Sequence, residues 1–202
     1  MEFFRRASGY PRTLAIFSAA FHPPTIAHRA IVEAALRQVD EVLIVLPRTF
    51  PHKAYDGLGF ELRLRMAEMA FHEFARCSIA AADRGLFIDL AREAKEEYPG
   101  ARLFVLVGRD AAERIVNWDY GEPGAFEKQL EVFELLVAFR GGYFEAPERL
   151  KQRVHHVDLP EELSSVSSTE VRLRIQRGDA WQHLVPDACV PLIEMATSSF
   201  SL

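Results

Sequence analysis

Two segments of this chain, Val42-Leu43-Ile44-Val45-Leu46 and Leu103-Phe104-Val105-Leu106-Val107, are apolar at every position. A strand with one face in water alternates polar and apolar residues, so unbroken runs of this length mark strands covered on both faces. That is the pattern of a parallel sheet between two helical layers. Weaker apolar runs and amphipathic stretches alternate along the rest of the chain as βα units do. The pattern predicts strands at Thr13–Ala19, Glu41–Leu46, Cys77–Ala81, Leu103–Val107, Phe133–Phe139 and Val154–Val157. Helices are predicted at Ala27–Gln38, Phe60–Glu73, Ile88–Glu97, Asp110–Ile115, Pro147–Lys151, Thr169–Gln176 and Pro186–Met195. The expected fold class is α/β, a doubly wound, mostly parallel sheet with the Thr13–Ala19 strand central. No repeat, low-complexity tract or Ser/Gly-rich linker marks a boundary. Residues 1–202 therefore read as one domain, with helices from about 169 packing on it.

Charge and cysteine usage narrow the function classes. A net charge of −5 gives no general attraction to nucleic acid or an anionic membrane, so a phosphate ligand needs a locally built site. No apolar stretch approaches the ~18 residues of a membrane span. Met1-Glu2-Phe3-Phe4-Arg5-Arg6 carries an acid and no apolar region follows it, so it does not read as a secretory signal. Cys77 and Cys189 belong to no Cys-x-x-Cys pair or Cys/His cluster, which suggests core thiols in a reducing, cytoplasmic setting and no protein-built metal site.

Between the first strand and the first helix lies Phe21-His22-Pro23-Pro24-Thr25-Ile26-Ala27-His28. In a parallel α/β sheet that turn sits at the carboxyl ends of the strands, and the helix behind it offers unpaired N–H groups to an anion. Thr25 and His28 are thus candidates for a phosphate site, although a threonine N-cap with a proline-stiffened entry accounts for the same residues structurally. A second constellation is Ser164-Ser165-Val166-Ser167-Ser168-Thr169-Glu170-Val171-Arg172. It gathers five hydroxyls at a helix start, more than one cap needs, and places Arg172 near the same first turn. Hydroxyls, free N–H groups and an arginine fork together suit a polyphosphate.

Both segments resemble motifs of the adenylyltransferase and cytidylyltransferase superfamily. Phe21, Pro23, Thr25 and His28 match its Gly-x-Phe-x-Pro-x-Thr/His-x-Gly-His signature, and Val166–Arg172 is similar to its Ile-Ser-Ser-Thr-x-Ile/Val-Arg segment. Within the superfamily the chain resembles the bacterial nicotinate-nucleotide adenylyltransferases over nearly its whole length. Pro51-His52-Lys53, Arg63-Leu64-Arg65-Met66, Gly108-Arg109-Asp110 with Trp118, Arg140-Gly141-Gly142 and Leu184-Val185-Pro186-Asp187-Ala188 stand where that family carries Pro-Pro-His-Lys, Arg-Leu-x-Met, Gly-x-Asp…Trp, Arg-Pro-Gly and Leu-Val-Pro-Glu-Ala.

The resemblance implies a Rossmann-like nucleotidyltransferase fold and attack by a mononucleotide phosphate on the α-phosphorus of ATP, expelling pyrophosphate. The nucleophile is already an anion, so such a site needs donors and not a general base. It further implies His28 as donor to the α-phosphate with Thr25 beside it, and Arg172, Ser167, Ser168 and Thr169 on the outer phosphates. Lys53 would bridge phosphate charge, Ala19 and Phe21 would line the ATP loop, and Gly108 and Asp110 would take the ribose. Phe87, Trp118 and Arg140 would face the acceptor. Mg²⁺ would arrive with ATP, held by phosphates and water. The expected partners are ATP and a mononucleotide, with no nucleic acid and no membrane; self-association into a homo-oligomer stays open.

Ser18, Ala19 and Ala20 stand where the family usually carries glycine or small residues, His22 replaces its usual acidic residue, and three further positions depart from the pattern. Ala27 replaces a glycine, Gly141 replaces a proline, and Phe87 replaces the threonine of Tyr-Thr-Ile-Asp-Thr-Leu, which helps recognise the pyridine carboxylate or amide. Phe87 has no side-chain donor, so the acceptor is expected to be held by stacking on Trp118 and by backbone N–H groups, with weak discrimination between nicotinate and nicotinamide forms. Alternatives are a phosphopantetheine-type adenylyltransferase, which Thr25 suits, and a degenerate nucleotide-binding relative without turnover.

Overall fold

Strand order explains why the apolar runs are unbroken. A computed structural model, describing residues 1–50, 55, 57–139 and 144–196, contains a seven-stranded sheet in the order β1-β4-β3-β2-β5-β6-β7. Its strands are β1 (Glu2–Arg5), β2 (Thr13–Ser18), β3 (Glu41–Pro47), β4 (Cys77–Ala82), β5 (Arg102–Gly108), β6 (Glu134–Phe139) and β7 (Val154–Asp158). The expected first strand, β2, is central, flanked by β3 with Phe17 opposite Ile44 and by β5 with Ile16 opposite Val105. All pairings from β4 to β7 are parallel.

The helices are α1 (Ile26–Ala35), α2 (Phe60–Phe71), α3 (Phe87–Glu97), α4 (Arg109–Val116), α5 (Ala125–Gln129), α6 (Ser168–Arg177) and α7 (Val190–Met195). They cover the sheet from both sides, and alternate strand residues feed two separate cores. Ala15, Phe17, Ile44, Leu46 and Leu106 pack with residues of α1, α2, α6 and α7. Leu14, Ile16, Leu43, Val45 and Val105 pack with residues of α3, α4 and α5. Val42 to Leu46 of β3 each face one core or the other, so a polar substitution anywhere along that run would be buried without a partner.

The chain winds from β2 to β3 to β4 in one direction and then returns to the far side of β2 with β5. The order therefore reverses between β2 and β5, and the turns leaving those two strands flank a crevice at the carboxyl edge of the sheet. Both turns carry sequence motifs, at Phe21–His28 and at Gly108-Arg109-Asp110.

Several elements differ from the sequence expectation. The sequence reading gave no strand at β1, which pairs antiparallel with β4 at the sheet edge, nor the five-residue helix α5, which starts at Ala125 just after Gly124. The helix expected at Pro147–Lys151 is a 3₁₀ segment, Glu148–Arg153. The one expected at Pro186–Met195 is a 3₁₀ turn, Asp187–Cys189, followed by α7 with Pro191 in its first turn, where a missing N–H does no harm.

The amino edge of the sheet carries the buried acids. Glu41 accepts from Ser78 Oγ at 2.5 Å and from the Tyr98 hydroxyl at 2.8 Å. Glu134 takes two bonds from the Arg102 guanidinium, at 2.9 and 2.7 Å, and lies 2.6 Å from His155 Nε2. Glu41 is thus held by two hydroxyls and Glu134 by a guanidinium and an imidazole, at the edge opposite the motif-bearing loops.

Candidate active site

The turn after β2 folds around its own aromatic residue. Phe21 is buried with a left-handed backbone, φ +48°, which a non-glycine residue adopts only where packing enforces it. Its ring meets Phe17 and Phe71 edge-on at 5.6 and 5.5 Å, and the His28 imidazole at 5.3 Å. Phe21 therefore lines the loop from the core side, as a wall against which His28 rests.

Thr25 is the N-cap of α1, wholly buried, and it forms a reciprocal capping box with His28. Thr25 Oγ1 accepts from the His28 N–H at 3.4 Å, and His28 Nδ1 accepts from the Thr25 N–H at 3.0 Å and lies 2.8 Å from Thr25 Oγ1. With Nδ1 occupied as an acceptor, a neutral imidazole carries its proton on Nε2. The three-residue spacing from N-cap to N3 thus sets the tautomer as well as the position of the ring.

The second motif lands on the same turn. Ser167 caps α6, accepting from the Glu170 N–H at 3.1 Å. Ser168 Oγ donates to the Pro23 carbonyl at 2.7 Å, and Arg172 Nη1 donates to the His22 carbonyl at 2.7 Å. Arg172 Nη2 reaches Thr169 Oγ1 at 3.3 Å, while its buried Nε has no hydrogen-bond partner among the described residues. Burial draws the Arg172 pKa down, yet a guanidinium stays charged at neutral pH. The start of α6 is thus bonded to the loop that opens α1, and two ten-residue helices bring their N-terminal N–H groups and positive dipole ends to one place.

The remaining candidates lie on other elements and make no hydrogen bond to this clamp among the described contacts. Ala19 is partly buried against the core beneath the loop. Gly108 ends β5 and caps α4; a Cβ added there would meet nothing within 4 Å, so the residue faces open space. Asp110 is exposed on the first turn of α4 with a carboxylate oxygen 3.5 Å from Arg109 Nε. Phe87 opens α3, half-buried against the second core. Trp118 is 56% exposed beyond the far end of α4 and lines a cavity of about 420 Å³ with Tyr120, Phe126 and Arg149. Lys53 and Arg140, with the Pro51-His52-Lys53 and Arg140–Gly142 segments, lie outside the described residues. Ala27, expected to crowd a nucleotide, has its methyl buried in the first core.

The model of the cytidylyltransferase-like family matches residues 16–174, a span that holds both loops. Proteins named "probable nicotinate-nucleotide adenylyltransferase" from Exiguobacterium sibiricum, Geobacter sp. strain M21 and Shouchella clausii are 30, 31 and 33% identical, and the matches cover 95, 92 and 94% of their lengths and 90, 87 and 91% of this chain. The chain belongs to the nicotinate-nucleotide adenylyltransferase family. Among solved structures, the Plasmodium falciparum nicotinic acid mononucleotide adenylyltransferase complexed with APC aligns at a TM-score of 0.73 and 18% identity, covering 94% of this chain and 98% of that one. At that identity the likeness concerns the fold, which in this adenylyltransferase is the doubly wound sheet described above.

Two residues at the site of this adenylyltransferase escaped the reading of its sequence. Gly57 packs so closely on the His22 ring that a Cβ would lie 2.4 Å from it, an approach with no local sequence signal. Arg63 entered only as part of a motif resemblance, and its burial is visible only in three dimensions.

Proposed function

We propose that this chain transfers AMP from ATP to nicotinate mononucleotide, releasing pyrophosphate and forming the dinucleotide. The observation that carries the reading is the clamp joining the Thr25–His28 capping box to Ser168 and Arg172 across the turn after β2. No covalent intermediate is required, because the acceptor phosphate is itself the nucleophile. The site has to hold two anions in line and neutralise the charge that grows on the α-phosphate and the leaving pyrophosphate.

In this reading His28 donates from Nε2 to a non-bridging oxygen of the α-phosphate. The Thr25 hydroxyl, already spent on the capping box, positions that ring and does not touch substrate. Arg172, Ser168 and Thr169, with the N–H groups at the start of α6, take the outer phosphates. Arg172 and Ser168 donate to carbonyls in the free chain, and a charged phosphate oxygen is the stronger acceptor. Transferases of this kind use a divalent metal with ATP. The described residues contain no group of three or more His, Cys, Asp or Glu that would hold an ion, so we take the metal as Mg²⁺ carried on the triphosphate and bound through phosphate oxygens and water. Asp110 would accept from ribose hydroxyls, and Phe87 and Trp118 would supply flat apolar surface for the pyridine ring.

The test is pyrophosphate release from ATP and Mg²⁺ with nicotinate mononucleotide, nicotinamide mononucleotide or phosphopantetheine as acceptor. The expected result is turnover with the pyridine mononucleotides and none with phosphopantetheine. Turnover only with phosphopantetheine, or with no acceptor at all despite ATP binding, would overturn the reading. Without a matched side-chain partner at Phe87, the preference between the two pyridine acceptors should stay below about 10⁴, the range reached where a site reads the group directly. Phe87→Thr should shift the ratio toward one of them.

A further inference from the structure

Arg63 is the largest fully buried side chain in the described structure, 2% exposed on α2, and no carboxylate pairs with it among the described residues. Among the described residues its guanidinium donates to backbone carbonyls: Nε to Leu58 at 3.2 Å, Nη1 to Ala20 at 3.3 Å and Nη2 to Pro47 at 3.1 Å. The rings of Tyr55, Phe50 and Phe60 surround it at 5.0, 5.5 and 5.7 Å. A buried cation without a counter-ion is expensive, and an apolar side chain of similar volume is often as stable or more so. Mere packing is therefore a poor account of an arginine here.

Its three acceptors explain the placement. Ala20 belongs to the turn after β2, Pro47 ends β3, and Leu58 precedes α2. One planar fork thus ties together the segments that leave two neighbouring strands at the carboxyl edge. The turn after β2 is then held at three carbonyls by three side chains: Ala20 by Arg63, His22 by Arg172 and Pro23 by Ser168. With its carbonyls pinned to protein donors, such a turn keeps its N–H groups for an anion.

Resting on the adenylyltransferase reading above, we infer that Arg63 is a positioning residue: it fixes the backbone of the turn after β2 in the form that receives the ATP phosphates, without touching substrate itself. Lysine keeps the charge but cannot span three carbonyls set around a plane, so the two functions of the side chain separate by substitution.

The experiment compares Arg63→Lys, Arg63→Met and Met66→Ala, the last a cavity control fully buried on the same helix. Melting temperature, KM for ATP, KM for the acceptor, and amide hydrogen exchange across residues 18–25 of the nucleotide-free protein are measured for each. Arg63→Lys should fold, exchange faster at 18–25 and raise KM for ATP on the order of tenfold to a hundredfold, the scale of lost hydrogen bonds to a charged group, with the acceptor KM within threefold. Arg63→Met should behave likewise. Met66→Ala should lower the melting temperature without either change. Arg63→Lys with exchange and ATP KM like wild type, or Met66→Ala showing the same rise as the arginine variants, would overturn the proposal. A wild-type protein without turnover would instead defeat the function proposed above, and the exchange comparison would still decide the role of Arg63.

Discussion

Thr25 and His28, proposed above as the donor and its support, form an ordinary helix capping box. With His28 as the proposed donor to the reacting phosphate, at a partly exposed turn, His28→Ala should leave the fold intact while kcat falls on the order of 10²–10³. Measured kcat within threefold of wild type would remove His28 from the chemistry. Thr25→Ala should cost about 1 kcal/mol of stability as a lost N-cap and also lower kcat, since the ring loses the hydroxyl beside Nδ1. Thr25→Ser should restore both, as urea melts and steady-state rates can show. The two thiols behave oppositely: burial pushes Cys77 and Cys189 up to about 12, so neither offers a thiolate at neutral pH. A thiol reagent at pH 8 should find no fast-reacting group in the native protein and two after denaturation. At this scale the sequence marks residues that carry a motif, such as Thr25, His28, Ser168 and Arg172. It is silent on Gly57 and marks Arg63 only as a motif member; the meaning of both lies in contacts 16 and 35 positions away, to Pro47 for Arg63 and to His22 for Gly57.

Among elements, α6 is the one whose loss would undo the site. Arg172→Lys keeps a positive charge but gives up the fork that spans Thr169 and the His22 carbonyl, and should raise KM for ATP roughly tenfold or more. An unchanged KM would count against a phosphate role for this helix. The parallel strands and α1 to α4 were legible because burial on two faces and helical periodicity both leave long patterns. The four residues of β1 and five of α5 were not, because so short a segment alternates by accident as readily as by design. β1 also shows how an edge is closed: it is short, its register shifts between Phe3 and Arg5, and Arg5 turns back to the carbonyls of Cys77 and Phe71 at 2.9 and 3.0 Å. Charges and irregularity of this kind discourage a second chain from extending the sheet.

For the molecule as a whole, the sheet separates acid-sensitive structure from chemistry. Burial alone would push the Glu134 carboxyl up, but bonds from Arg102 and His155 outweigh it and hold the group below the usual carboxylate range. A depressed folded-state pKa stabilises the protein above the unfolded value, about 4.3, and that contribution is lost as pH falls through the folded value. Glu134→Gln should therefore lower the melting temperature at pH 7, with the gap to wild type closing below about pH 4. At pH 7.5 its kcat should stay within twofold of wild type, since Glu134 lies at the opposite edge from the clamp. A gap that widened on acidification would show that the pairing is not what stabilises this edge.

The division of the sheet into two cores has a historical consequence. The proposed phosphate clamp stands on α1 and α6, over one core, while the proposed acceptor residues Phe87 and Trp118 belong to α3 and the segment beyond α4, over the other. Side chains on opposite faces of a strand do not touch, so substitutions in one layer seldom force replies in the other. A lineage can thus try new acceptors one residue at a time while inheriting its grip on the nucleotide intact.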